Sequence, residues 1–387
     1  MLKYKNICII TGSRSEYYLL KKIIIKLKKE KYIKTSLVVT GSHLSKKFGL
    51  TYSDIKKDLI KIDKKINIKI EGDQSLNIAK STAVGIQKFS EYFNRKKFDL
   101  IIILGDRYEI FSSAVAAYIN KIPMAHIHGG ESTEGSLDEG IRHSITKMSH
   151  IHFVATKKYL SRVIQLGENP KLVFNVGGLG VDSIKNTKLI LKHTLEKKLN
   201  IKFLKKNCLI TFHPETLEKT KNNKSITNII YSIKKFKDMS FFFTMPSADQ
   251  GSFSIINEIK KFVKNNKNAY FFNSLGHEKY FSLCNHVDFM IGNSSSGILE
   301  MPSFKKATIN IGNRQKGRIK ASSIINISSD KNEILHAIKK VYSRKFQIKV
   351  KSTSNPYGKG GASEKIVQII KKINLKNIIY KKFFDIR

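Results

Sequence analysis

The sequence predicts an α/β protein made of two doubly wound parallel-sheet domains. Three observations predict it. Apolar runs rich in Ile, Val and Phe recur along the chain, too hydrophobic for strands with one wet face, and helical patterns lie between them. A Lys-rich polar stretch over 182–206 lacks strand character and splits the runs into two series of similar length. Polar and glycine-rich clusters sit where the apolar runs stop, as they do beyond the carboxyl ends of parallel strands.

Element by element, the first series reads "NICIITG", "TSLVVTG", "FDLIIILGD", "PMAHIHGG", "IHFVAT" and "LVFNVGG". Helical periodicity covers Glu16–Glu30, Ile78–Arg95 and Tyr108–Asn120. The second series reads "NCLITFH", "SFFFTMP", "NAYFFN", "FMIGNS", "ATINIG" and "SIINI". A Pro/Gly loop, "NPYGKGG", then opens an amphipathic helix that Ser363 is placed to cap. The expected division is a domain over 1–182, a connection over 183–206, a second domain over 207–362, and a final helix with its tail over 363–387. The cleft between two such domains is the default ligand site.

Composition removes several function classes. The chain has 387 residues, 41% hydrophobic and 26% charged, a globular balance. No apolar run approaches the ~18 residues that span a bilayer. The start, "MLKYKNICIITGSR", carries Lys before an apolar run, but the run is short and ends in Gly-Ser-Arg, so it reads as a buried strand. Three widely spaced cysteines, Cys8, Cys208 and Cys284, fit a reducing, cytoplasmic setting better than a disulfide framework.

Lys and Arg number 71 against 30 Asp and Glu, a net charge of +41. A nucleic-acid binder would show Arg clusters with interleaved aromatics. Here Lys is spread over every exposed helix face, so no nucleic-acid or membrane partner is expected. A basic surface still speeds the arrival of an anionic substrate.

The polar clusters carry the candidate chemistry. "TGSRSEY" follows the first strand and opens a helix, with Gly12 for a tight turn and Arg14 as a fixed positive charge. It lacks the Gly-x-Gly-x-x-Gly pattern, which disfavours NAD. "TGSHL" ends the second strand with His43, equally suited to a core or a ligand position. "IGNSSSGILE" ends a strand and opens a helix. Ser295, Ser296 and Gly297 let backbone amides approach a diphosphate, and Glu300 stands where a carboxylate accepts from ribose hydroxyls. "GNRQKGR" adds Arg314 and Arg318.

Asp106, Glu131 and Glu139 form the candidate acid–base set, since they cluster at neighbouring strand–helix junctions. The plainer alternative is acids at helix N-termini pairing with Arg107 and Arg142. His126 and His128 alternate on a strand, but no third ligand at a metal-site spacing joins them, so no metal is expected. His213 in "TFHPETL" ends the first strand of the second domain. No Gly-x-Ser-x-Gly elbow or P-loop lysine occurs, which disfavours serine acyl transfer and P-loop ATP hydrolysis.

Taken together, "TGSRSEY", "LGDR", "HIHGGE", "DEGIRHSITKMSH", "FHPET", "GNSSSGILE" and "GNRQKGR" resemble the hydrolysing UDP-N-acetylglucosamine 2-epimerases in order and spacing, up to about Ile370. "GGE" and "DEGIRH" resemble the hydrolysing rather than the non-hydrolysing branch, and "NPYGKGGASEKI" resembles its members in bacterial sialic-acid-type pathways. The resemblance implies a glycosyltransferase-B-like architecture, a UDP-sugar between the domains and a final helix that returns to the first domain. With neither a dinucleotide pattern nor a metal set, no cofactor is expected, and the expected assembly is a homo-oligomer, dimer or tetramer. The resemblance implies elimination of UDP across C1–C2, a 2-acetamidoglucal, and addition of water to release the manno sugar.

By the same resemblance Asp106, Glu131 and Glu139 match acid–base positions, and His213 a cleft histidine. Ser295, Ser296 and Arg318 match diphosphate contacts, Glu300 a ribose contact and Arg14 a phosphate contact. His43, Arg107, Arg142 and Gly297 complete the expected substrate-binding set. UDP-N-acetylglucosamine is the first expected substrate. UDP-2,4-diacetamido-2,4,6-trideoxyglucose, from legionaminic-acid-type pathways, is the second. A UDP-sugar glycosyltransferase of the same fold is the rival enzyme class.

Overall fold

The computed structural model describes residues 4–72, 74–134, 137–214, 221–246 and 252–386, with the side chains of all but 221–223. Glu215 and Thr216 of the "FHPET" motif lie outside the described residues. The chain divides into two compact units, one of 1–131, 137–183 and 360–387, the other of 132–136 and 184–359.

In the first unit the strands are β1 (Lys5–Thr11), β2 (Ile33–Val39), β3 (Lys64–Lys65), β4 (Leu100–Leu104), β5 (Met124–Ile127), β6 (Ile151–Val154) and β7 (Val173–Asn175). They form one parallel sheet in the order β3-β2-β1-β4-β5-β6-β7. β1 alternates between two apolar layers. Ile7 and Ile9 join the layer of helix Arg14–Lys28, while Cys8 and Ile10 join the layer of helices Ser75–Arg95 and Tyr108–Ile119. Each fully buried Ile contributes roughly 1.5–3 kcal/mol relative to exposure. The two-residue β3 is exposed and lysine-only, and nothing in its hydrophobicity announces it.

The second unit holds β8 (Lys206–Thr211), β9 (Met239–Thr244), β10 (Ala269–Phe272), β11 (Phe289–Gly292), β12 (Ala307–Ile311) and β13 (Ile324–Ile327), all parallel, in the order β10-β9-β8-β11-β12-β13. Phe241 and Phe243 face one layer and Phe242 the other. The stretch over 183–206 contains the helix Lys192–Leu199. In both sheets the strand order reverses beside the first strand, between β1 and β4 and between β8 and β11. Doubly wound sheets bind ligands at such a reversal, outside the carboxyl ends.

The final helix, Ala362–Lys372, belongs to the first unit, and Ile366, Val367 and Ile370 enter the same layer as Ile7 and Ile9. Ser363 is not its cap. Gly361 holds the cap position at φ +89, and Asp182 supplies the acceptors, taking the N–H of Gly361 at 2.6 Å and of Ser363 at 3.1 Å. A carboxylate from another helix thus satisfies amide groups that a helix N-terminus leaves unpaired.

Candidate active site

In the first unit the candidate residues collect at the carboxyl ends of β1, β4 and β5. Arg14 opens the helix Arg14–Lys28, capped by Ser13. Gly12 is required for space rather than for a turn: a Cβ there would lie 2.6 Å from Cγ of Glu109. Its N–H donates to Oε2 of Glu16 at 2.7 Å. Burial, then the charge of Glu109, pushes Glu16 up to about 8.

His43 proves to be a core residue. Its ring is fully buried, with Nε2 3.1 Å from the Thr11 hydroxyl and Nδ1 2.9 Å from that of Thr51. Both nitrogens are taken within the unit, and burial pushes the ring down to about 4. Arg107 precedes the helix Tyr108–Ile119, and its Nε donates to Oε1 of buried Glu109 at 2.8 Å.

Arg142 gathers the acids. It sits on the helix Leu137–Met148 and is buried. Its Nε donates to Oδ2 of Asp106 at 2.9 Å, its Nη2 makes a second bond to the same oxygen, and its Nη1 donates to Oε2 of Glu139 at 2.8 Å. Nη1 also donates to the main-chain oxygen of Glu131 at 3.0 Å. Burial opposes the charge, but Asp106 first, with Glu131 and Glu139, raises Arg142 above the usual range. The pairing alternative is therefore present, and it does not disperse the acids. One guanidinium organises residues that follow β4 and β5.

His126 and His128 part company at the strand end. His126 is buried on β5, with Nε2 2.8 Å from the Gly105 oxygen and Nδ1 3.1 Å from the Thr146 hydroxyl, and burial pushes it down to about 3. Beyond β5 the alternation stops, because His128 has φ +68, the left-handed region. A non-glycine residue held there costs about 1–3 kcal/mol. Its Nδ1 is 3.2 Å from Oε1 of Glu131. Sequence reasoning missed this partner. The signal was "HIHGGE" itself, where the glycines after His128 mark a sharp turn. No group of three or more His, Cys, Asp or Glu able to hold a metal occurs among the described residues.

In the second unit the candidates follow β8 and β11. His213 is clamped through its backbone by Asn293: Oδ1 accepts from the His213 N–H at 2.7 Å, and Nδ2 donates to its oxygen at 2.8 Å. Asn293 is fully buried, and its own oxygen accepts from Nε2 of Gln315 at 3.0 Å and Nη1 of Arg314 at 3.3 Å. Burial, then the Arg314 charge, pushes His213 down to about 3.

The serine run divides its labour. Ser294 caps the short helix Ser295–Leu299, accepting from the N–H of Ser296. Ser295 begins that helix. The Ser296 hydroxyl donates to Oε2 of Glu300 at 2.5 Å and lies 2.5 Å from the Tyr280 hydroxyl. Burial raises Glu300, partly offset by the Ser296 bond. At Gly297 a Cβ would meet Thr308 Cγ2 at 2.6 Å, so packing alone already favours glycine there. Arg318 stands on the loop between β12 and β13.

The family model for UDP-N-acetylglucosamine 2-epimerase matches residues 25–371. The chain is 42% identical over 384 residues to the polysialic acid biosynthesis protein P7 of Escherichia coli, covering 99% of this chain and 98% of that one. It is also 42% identical over 385 residues to the hydrolysing GDP/UDP-N,N'-diacetylbacillosamine 2-epimerase of Campylobacter jejuni, covering 99% of each. Its fold matches the UDP-GlcNAc 2-epimerase of Neisseria meningitidis, solved with UDP-GlcNAc, at a TM-score of 0.81 and 20% identity, over 95% of this chain and 100% of that one.

Proposed function

Since the chain belongs to the UDP-N-acetylglucosamine 2-epimerase family, among its hydrolysing members, we propose that it converts UDP-N-acetylglucosamine and water to N-acetylmannosamine and UDP. The observation that supports this most is Arg142, which bonds Asp106 and Glu139 and the backbone of Glu131 from one buried position. A hydrogen at C2 of a sugar has no carbonyl beside it. It becomes acidic only as the C1–O bond breaks and positive charge builds at C1. A base then takes the C2 proton, the C–H electrons form the C1–C2 double bond, and UDP leaves with the C1–O pair. Return of a proton to the opposite face of C2, with water oxygen at C1, gives the inverted sugar. A single fixed base would restore the starting configuration, so several carboxyl groups are needed.

In this reading Asp106, Glu131 and Glu139 share the proton transfers, with Arg142 fixing the positions of Asp106 and Glu139 through its hydrogen bonds. Ser295, Ser296, Arg318 and Arg14 hold the diphosphate and stabilise it as it leaves, and Glu300 takes the ribose. His213 is neutral at working pH and serves as a hydrogen-bonding partner rather than a cation. The chemistry calls for no dinucleotide or metal.

A second substrate, UDP-2,4-diacetamido-2,4,6-trideoxyglucose, is favoured by the similarity to the Campylobacter jejuni enzyme. The experiment incubates the protein separately with each sugar nucleotide in deuterated, oxygen-18 water. The expected product is a free manno-configured sugar with one deuterium at C2 and the label at C1. A released sugar without deuterium at C2 would leave plain hydrolysis, and transfer to an acceptor would leave a glycosyltransferase. Turnover of the diacetamido sugar alone would move the assignment to the second substrate.

A further inference from the structure

We infer that His128 is a positioning residue that presents an Nδ1–H to the Glu131 carboxylate and holds it ionised as a proton acceptor. The inference rests on the epimerase reading above. It begins with the backbone. β5 ends at Ile127, and the N–H of His128 continues the ladder to the Phe153 oxygen at 2.9 Å. The chain then turns sharply. A Cβ on Gly129 would lie 2.9 Å from Oγ1 of Thr146, and one on Gly130, at φ +74, would lie 2.5 Å from the Tyr159 oxygen. His128 enters this turn at φ +68, where glycine would be unstrained. Backbone geometry therefore gains nothing from a histidine, and the reason for one lies in its ring.

The ring's tautomer follows from its neighbours. The N–H of Leu179 donates to Nε2 at 3.4 Å. An amide N–H only donates, so Nε2 carries a lone pair and the ring hydrogen sits on Nδ1. Nδ1 lies 3.2 Å from Oε1 of Glu131, and both side chains are largely buried. That separation lies at the upper end of the hydrogen-bond range. Long catalytic contacts of a free enzyme commonly tighten when substrate binds. A donor on the charged form favours that form.

The charged groups around Glu131 sharpen the point. Arg142, on the helix Leu137–Met148, donates to the Glu131 main chain, and Arg162, on the helix Lys157–Gln165, donates to the Gly130 oxygen. Neither changes charge between pH 5 and 9. His126 on β5 is neutral there, pushed down to about 3. Asp106 and Glu139 are bonded to Arg142.

The test uses His128→Gly, which suits the backbone, and His128→Asn, which tolerates the left-handed region and keeps an N–H donor. For His128→Gly we expect an unchanged or raised Tm. We expect kcat to fall roughly ten- to a hundredfold, less than the ~10²–10⁴ of an acid–base group itself. KM should move less than about threefold. The acid limb of kcat/KM should move to higher pH, since the ionised Glu131 has lost its donor, and His128→Asn should recover part of the rate. A ring that only props the helix Leu179–Lys185 would instead lower Tm and leave the limb in place. Either that result or a His128→Gly enzyme within threefold of wild type overturns the inference. Nitrogen NMR of the labelled rings provides a readout independent of turnover: protonated Nδ1 and bare Nε2 at His128, with Nδ1 moving in Glu131→Gln. The opposite tautomer also overturns it. A wild-type protein inert towards every UDP-sugar would fail the epimerase reading, while the NMR result still judges His128.

Discussion

Nε of Arg142 donates to Oδ2 of Asp106 at 2.9 Å from a side chain that is 1% exposed. Two of the guanidinium's nitrogens reach that one oxygen, so the pairing depends on a planar fork that lysine lacks.

Arg142→Lys should therefore keep the charge and lose the alignment. We expect turnover of the preferred UDP-sugar to fall roughly a hundredfold or more, the scale of acid–base catalysis, with UDP affinity nearly unchanged. Arg142→Ala should also cost about 2–3 kcal/mol in denaturant unfolding. That is below the ~3–5 of a fully buried pair, because Asp106 and Glu139 retain some solvent. Equal loss of UDP binding would place Arg142 on the nucleotide instead.

Asn293→Ala removes both hydrogen bonds that hold the His213 backbone. The expected cost is about 1–3 kcal/mol, the scale of losing two part-buried hydrogen bonds. Turnover should fall more than stability alone explains, measured well below the melting temperature. Asn293→Asp, which keeps the acceptor but loses the donor, should lie between.

Glu16 gives a pH dependence of unusual sign. Its folded carboxyl is pushed up to about 8, above the ordinary 4.5, so between these values the folded chain holds a proton that the unfolded chain has released. Stability from this group is present below pH 4.5 and is lost as pH rises towards 8, by roughly 3–5 kcal/mol at full extent. Glu16→Gln keeps an acceptor for the Gly12 N–H and should flatten the fall. Urea unfolding at pH 5 and pH 8 on both proteins measures it, and parallel slopes would refute it.

Glu168 behaves oppositely. Burial opposes its charge, but hydrogen bonds from His152, Lys147 and Lys381 outweigh it and hold the carboxyl at about 2. Its contribution, about 3 kcal/mol, is present above pH 4.5 and lost as pH falls towards 2. Lys381 ties the tail to this site, donating to Glu168 at 2.9 Å and to the Lys147 and Ser149 oxygens. Lys381→Met should lower stability at pH 7 by about 1–2 kcal/mol, and by less at pH 3. It should also expose the tail to limited proteolysis.

The two sheets were legible because their strands are buried on both faces, and Ile7 to Ile10 or Phe241 to Phe243 leave no polar position to blur the run. What pattern could not supply was anything set by a distant neighbour. The helix Ala362–Lys372 carries a plausible cap of its own in Ser363, and only the fold brings Asp182 to it. Gly12 reads locally as a turn, yet Glu109 is its reason. His43 lies in a motif-like "TGSHL", and two threonines claim its ring. At His128 the alternation with His126 suggests a continuing strand, while the backbone has already reversed hand. The acids stood out as a cluster, but their common bond to Arg142 crosses 36 residues to Asp106.

The helix that Asp182 caps comes from residues made after 184–359, and this imposes an order on synthesis. A ribosome delivers β1 to β7, then all of 184–359, and only then the residues that cover Ile7 and Ile9 with Ile366, Val367 and Ile370. At about 5–20 residues per second, the first sheet waits roughly ten to thirty-five seconds with part of its apolar face uncovered. The β8–β13 sheet lies wholly within 184–359 and needs no such wait. A nascent chain of this protein is thus most prone to aggregate through the β1–β7 sheet while that helix is still missing. A chain broken off just before Ala362 would leave the β1–β7 sheet incompletely covered while the β8–β13 sheet keeps its own layers.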